Sequence, residues 1–147
     1  MKKFLFALMA LAIVSCGKQN TEPEPEIEPE PEPPKAAYYS FRVTDNVFVD
    51  LSQSIGPITT TIYLSEYKGK QKVAVNQVVD PVVGRKYKFK AKSVAEYVTV
   101  YAVTERKSDG KQASTYMANA FYLEPGEIVY IDLSKDSSSS QKEPIAD

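Results

Sequence analysis

The side chains able to do chemistry in this 147-residue chain are few. It contains no histidine and a single cysteine, Cys16. Ser-His-Asp and Cys-His nucleophiles are therefore out of reach, as are ordinary zinc sites and the side chain that most often titrates near neutral pH. Hydrolysis would fall to carboxylates. Ten lie between residues 36 and 134, and none falls in a spacing that defines a catalytic pair. There is no Walker loop, no GxGxxG and no EF-hand loop. Asp109-Gly110 lacks the further oxygen ligands a calcium loop needs, and it reads as a hairpin turn. No catalytic residue, metal ligand or cofactor is expected, and the composition argues against an enzyme.

One cluster of charge stands out. Lys86, Lys88, Lys90 and Lys92 follow Arg85 and alternate with Tyr87, Phe89 and Ala91. On an extended strand the four ammonium groups share one face while the aromatic rings take the other. Neighbours on such a face are about 7 Å apart, within a Debye length at physiological salt, so the row repels itself unless acids or an anion relieve it. Two readings follow. The lysines form a solvated face that resists edge pairing, or they form an anion-binding face for an anionic glycan, lipid phosphates or an acidic envelope protein. The tyrosines admit a further reading. Tyr97, Thr99 and Tyr101 share a strand face, as core or as a row that stacks on sugars or a partner backbone.

The segment carrying Cys16 positions it at a membrane. Met1-Lys2-Lys3 supplies a positive start, and Phe4 to Val14 is apolar and uncharged. That run is too short to span a bilayer, which takes about 20 apolar residues. Ile13-Val14-Ser15-Cys16 resembles the lipobox of bacterial lipoproteins, with Ile13 where Leu is usual. The resemblance implies a signal peptide over residues 1–15, cleaved before Cys16, and a diacylglyceryl thioether (palmitate or a similar chain) on the cysteine sulfur. Two or three acyl chains make such an anchor effectively permanent, each buried methylene contributing about 0.8 kcal/mol. In Gram-negative lipoproteins an Asp after the cysteine commonly retains the protein at the inner membrane. Gly17 lacks that mark, so the resemblance implies the cell outer membrane, on its periplasmic or its extracellular face.

Residues 16–35 form the expected tether. Thr21 to Lys35 reads TEPEPEIEPEPEPPK, in which proline removes backbone donors and glutamate resists burial. Such a disordered linker favours polyproline II and, at about 3.1 Å per residue, would reach on the order of 40 Å from the lipid. Its six glutamates face a domain carrying twelve basic and ten acidic residues between Ala36 and Ser134. An acidic leash folding onto the lysine row is a further expectation, weak because exposed charges gain little in water.

From residue 36 to 134 the composition turns aromatic and β-branched, with Gly and Pro at the breaks. Tyr39, Phe41 and Val43, then Val47, Val49 and Leu51, alternate as two strands. Ile58 to Glu66, Gln71 to Val79, Tyr87 to Ala91, Tyr97 to Glu105, Gln112 to Tyr122 and Ile128 to Leu133 continue the series, and no helix is expected. The expectation is all-β: an antiparallel β-sandwich, immunoglobulin-like, of seven or eight strands after a disordered Pro/Glu tether. A small barrel is the alternative. Gly84-Arg85-Lys86-Tyr87 and Pro125-Gly126-Glu127-Ile128-Val129-Tyr130 resemble the turn-then-tyrosine segments of fibronectin type III domains, with the second tyrosine one residue further from its glycine. Residues 135–147, with serines 137 to 140, read as a disordered tail. The functional expectation is a lipid-anchored envelope protein displaying a binding or adhesion domain. A structural accessory subunit of an envelope complex is the alternative, and an enzyme inhibitor or enzyme comes third. Expected partners are the membrane, through acyl chains on Cys16, and an anionic glycan or envelope protein; no nucleic acid is expected.

Overall fold

The computed structural model describes residues 30–145. The lipobox and Cys16 lie outside the described residues. The element order is β1 (Tyr38–Val43), α1 (Val47–Ile55), β2 (Ile58–Lys68), β3 (Gln71–Val79), β4 (Tyr87–Lys90), β5 (Tyr97–Arg106), β6 (Gln112–Met117), β7 (Phe121–Tyr122), β8 (Ile128–Leu133) and β9 (Ser139–Ser140). Two sheets pack face to face as a β-sandwich. The smaller has the order β4-β1-β8, and the larger runs β3-β2-β5-β6-β9 with β7 beside β5. Every pairing is antiparallel except β1 against β8.

Alternation along each strand fills the space between the sheets. Tyr39, Phe41 and Val43 of β1 meet Ile62 and Leu64 of β2, Val98 and Val100 of β5 and Ile131 of β8, all fully buried in one cluster. Such a cluster, removed from water on both faces, is what holds a domain lacking disulfides. Tyr87 and Phe89 turn inward from β4 as their alternation requires, Phe89 stacking on Tyr39 at 5.3 Å and Tyr87 lying 6.5 Å from Phe41. The Tyr87 hydroxyl also accepts a hydrogen bond from the Val82 N–H at 3.0 Å.

Three expectations need correction. The segment expected as a second strand, Val47 to Leu51, is helix α1. Val47, Val49 and Leu51 fit a period of two, but Val47, Phe48 and Leu51 also make one helical face, from which Val47 and Phe48 pack against the core cluster. Asp45, whose carboxylate accepts from the Val47 N–H at 3.1 Å, and Gly56 at φ 94 bound it. The expected strand from Gln112 to Tyr122 is broken between β6 and β7, where the Ala118 N–H donates to the Ser138 carbonyl at 2.8 Å. The expected disordered tail instead supplies β9, pairing Ser139 and Ser140 with Met117 and Tyr116. The β5–β6 hairpin is as expected, but its loop runs over residues 107–111, with the Gly110 N–H donating to the Arg106 carbonyl at 2.8 Å. Seven strands have four residues or more, and β7 and β9 have two each.

Candidate functional site

The outer face of the larger sheet is built in rows. Register places Gln77 of β3, Tyr63 of β2, Tyr101 of β5 and Tyr116 of β6 side by side. Two positions along, Ser65 lies opposite Thr99, and two further Tyr67 lies opposite Tyr97, which pairs with Tyr122. Two aromatic rows thus run across the strands, about 13 Å apart along them, with a row of small side chains between. In the first, ring centroids are 6.1 Å apart for Tyr63–Tyr101 and 4.3 Å for Tyr101–Tyr116. In the second, Tyr67 stacks on Tyr97 at 5.3 Å, and Tyr122 lies 6.1 Å beyond.

The first row remains half-exposed and walls a groove of about 530 Å³ that also takes in Ser65, Lys72, Gln77 and Glu143. The second is more deeply set at Tyr67 and Tyr97, with Tyr97 only 1% exposed and its hydroxyl donating to the Gly69 carbonyl at 2.6 Å, whereas Tyr122 at its end is exposed. The small-residue trough between the rows is occupied. Glu143, reaching back from beyond β9, accepts from the Tyr67 hydroxyl at 2.7 Å and from the Thr99 hydroxyl at 2.9 Å, both on Oε1, and Lys72 Nζ stands 4.0 Å away. Burial, with the Glu143 carboxylate adding to it, pushes the Tyr67 hydroxyl pKa well above the ordinary value. Burial and then the charge of Glu143 push Tyr116 in the same direction. Both hydroxyls stay protonated at neutral pH, and that of Tyr67 donates to Glu143. The groove therefore offers flat aromatic faces together with amide, hydroxyl, ammonium and carboxylate groups.

No protein family matches this chain, and neither does any curated protein or solved structure. Its chemistry must be read from its own geometry.

Of the four expected lysines, two lie within a strand, where their spacing puts them on one face. Lys88 and Lys90 belong to β4, Lys86 precedes it, and Lys92 follows Ala91, which turns into the core. All four are exposed. Their cross-strand neighbours are Ser40 and Tyr38 rather than acids, and Lys88 Nζ sits 4.9 Å over the Tyr38 ring. Among the described residues none of the four forms a salt bridge. Lys90 and Lys92 edge a shallow crevice of about 200 Å³ beside Pro34 and Lys35. Among the described residues no group of three or more His, Cys, Asp or Glu side chains is placed to hold a metal ion.

A buried carboxylate that the sequence did not single out lies under the tyrosine face. Glu66, 1% exposed, points inward from β2. It accepts from the Tyr39 hydroxyl at 2.9 Å, the Asn76 amide at 3.2 Å and the Lys92 N–H at 2.8 Å, joining β1, β3 and the segment after β4. Three donors satisfy a charge that would otherwise be costly to bury. Glu66 is thus a structural tie between sheets. The groove itself escaped sequence reading for a different reason. Tyr97 and Tyr101 were visible as a pair on one face, but Tyr63, Tyr116 and Glu143 join them only through strand pairing.

Proposed function

We propose that this chain is a lipid-anchored envelope protein, held by acyl chains on Cys16, whose β-sandwich domain binds sugar chains in the tyrosine groove of its larger sheet. The observation that carries this reading is the half-exposed row Tyr63, Tyr101 and Tyr116 along a groove of about 530 Å³. A pyranose ring presents an apolar C–H face and a rim of hydroxyls. The groove supplies their complements, aromatic faces for stacking and the Gln77 amide, Ser65 and Lys72 for hydrogen bonds. The role is one of recognition, and it assigns no catalytic step to the domain. The Pro/Glu tether and the absence of Asp at position 17 support display from the outer membrane. Acyl labelling of the full chain should be lost in Cys16→Ser, and binding of immobilised polysaccharides should be lost in Tyr101→Ala. Sugar binding that survives Tyr101→Ala would refute the groove; labelling that survives Cys16→Ser would refute the anchor.

A second reading has its own observation. Strand β3 is the edge of the larger sheet, nine residues long, paired among the described residues only with β2 and carrying one charge, Lys72. A long, sparsely charged edge is suited to strand addition by a partner chain. Under this accessory-subunit reading, cross-linked membranes would yield a stoichiometric partner, lost on placing a charge in the edge with Val79→Lys. Retention of any such partner by Val79→Lys would count against strand addition there.

A further inference from the structure

We infer that the Glu143 carboxylate occupies an acid subsite of the groove, standing in for the carboxylate of a uronic-acid unit, and that the C-terminal segment yields this subsite when such a sugar chain binds. The inference rests on the reading of the groove as a sugar-binding surface. Groups from three strands converge on Glu143: the Tyr67 hydroxyl of β2 and the Thr99 hydroxyl of β5 donate to it, and the Lys72 ammonium of β3 forms a 4.0 Å ion pair. The receiving side is built into the sheet. With the segment docked, Thr99 is fully buried and Tyr67 is 6% exposed, and Glu143 Oε1 is the acceptor both hydroxyls use.

The occupant is held far less firmly. Glu143 lies three residues past a two-residue strand, β9, that pairs only with β6. Nothing in the donor set distinguishes this carboxylate from another. Two neutral hydroxyls and one ammonium suit a monoanion; a phosphate, carrying about −1.5 to −2 charges, would call for more cations. Beside the trough lies the half-exposed row of Tyr63, Tyr101 and Tyr116. A uronate unit couples a stackable ring to an adjacent carboxylate, which is the pair of chemistries the groove sets side by side. Glu143 then acts as an intramolecular competitor, and the apparent affinity for a ligand falls in proportion to the time the segment is docked.

The test compares polygalacturonate with its methyl ester, which keeps the sugar backbone and masks the acid, using the full chain in detergent. Glu143→Ala should raise affinity for polygalacturonate by about tenfold and leave the methyl ester within about twofold, and Lys72→Gln should cancel the gain. Glu143→Gln, close in shape, covers the case in which the alanine variant folds poorly and should give a gain of the same sign. In the native chain, polygalacturonate should speed tryptic cleavage after Lys142, and the methyl ester should not. Equal gains for the two polymers, or weaker binding of polygalacturonate, would overturn the inference. Tyr101-dependent binding of both polymers with no response to Glu143 would overturn it while leaving the groove intact. Failure of both polymers to bind any variant would remove the sugar groove as well. Tighter capture of oligoglutamate than of polygalacturonate would reassign the subsite to acidic polypeptide.

Discussion

The two outer faces of the sandwich make opposite use of their side chains. On the smaller sheet, four lysines project from one edge into solvent, with Tyr38 and Ser40 as neighbours and no carboxylate in reach among the described residues. Their charges are hydrated and separated, the arrangement that discourages another strand from pairing with β4. On the larger sheet, tyrosines from β2, β5 and β6 combine with side chains of β3 and the C-terminal segment to wall a groove. The proposed binding surface lies where the sheet is concave and groups from several strands converge, and not where charge is densest along one strand.

The comparison can be broken most severely at the residue joining the two faces. Glu66→Ala should lower stability by about 3 kcal/mol, because the buried Tyr39 hydroxyl and the part-buried Lys92 N–H lose their acceptor, while the Asn76 amide keeps only the Tyr39 oxygen. Urea denaturation followed by tyrosine fluorescence measures this; a loss below about 1 kcal/mol would show that the tie is dispensable.

Alkali should separate core from groove next. Burial is the main cause raising the Tyr39 pKa; the Asn76 hydrogen bond opposes it, and Glu66 adds to it. An unfolded tyrosine ionises near pH 10, so the unfolded state loses its proton first. The contribution is complete below about pH 10 and is lost as pH rises past it toward the folded pKa. Urea midpoints should fall between about pH 9 and pH 11, and less steeply in Tyr39→Phe; parallel curves would contradict the assignment.

A smaller effect belongs to the groove wall. Tyr63→Ala and Tyr116→Ala each remove one end of the ladder and should weaken polysaccharide binding by about fivefold, roughly 1 kcal/mol, with little change in stability. Titration calorimetry reads the first quantity and urea denaturation the second. The smallest effect is reserved for the lysines. Replacing Lys86, Lys88, Lys90 and Lys92 with Gln should leave stability within about 0.5 kcal/mol and polysaccharide binding within about twofold.

How much of this was legible in the sequence depended on the range of the interactions involved. Alternation along β4 is local, so residues 86 to 92 were enough to turn Lys88 and Lys90 outward against Tyr87 and Phe89. The same local logic placed Tyr39, Phe41, Tyr87 and Phe89 inward. It failed at Val47 to Leu51, where four apolar residues offer both a period of two and a helical face, and packing of Val47 and Phe48 on the core favours the helix. It failed again after Leu133, because polar serines give no apolar signal for a strand held by backbone bonds to β6. The groove needed information no local pattern contains. Tyr63 and Tyr101 become neighbours through the pairing of β2 with β5, and Glu143 reaches Tyr67 across 76 positions of chain.

The central claim is that the tyrosine groove, and not the lysine face, is where this domain binds. Titration calorimetry of a bound polysaccharide against Tyr101→Ala and the four-lysine variant, at low and high salt, tests it most directly. The account predicts a loss of at least about tenfold in Tyr101→Ala, and near-native, weakly salt-dependent binding in the lysine variant. Native affinity in Tyr101→Ala with salt-sensitive loss in the lysine variant would contradict it.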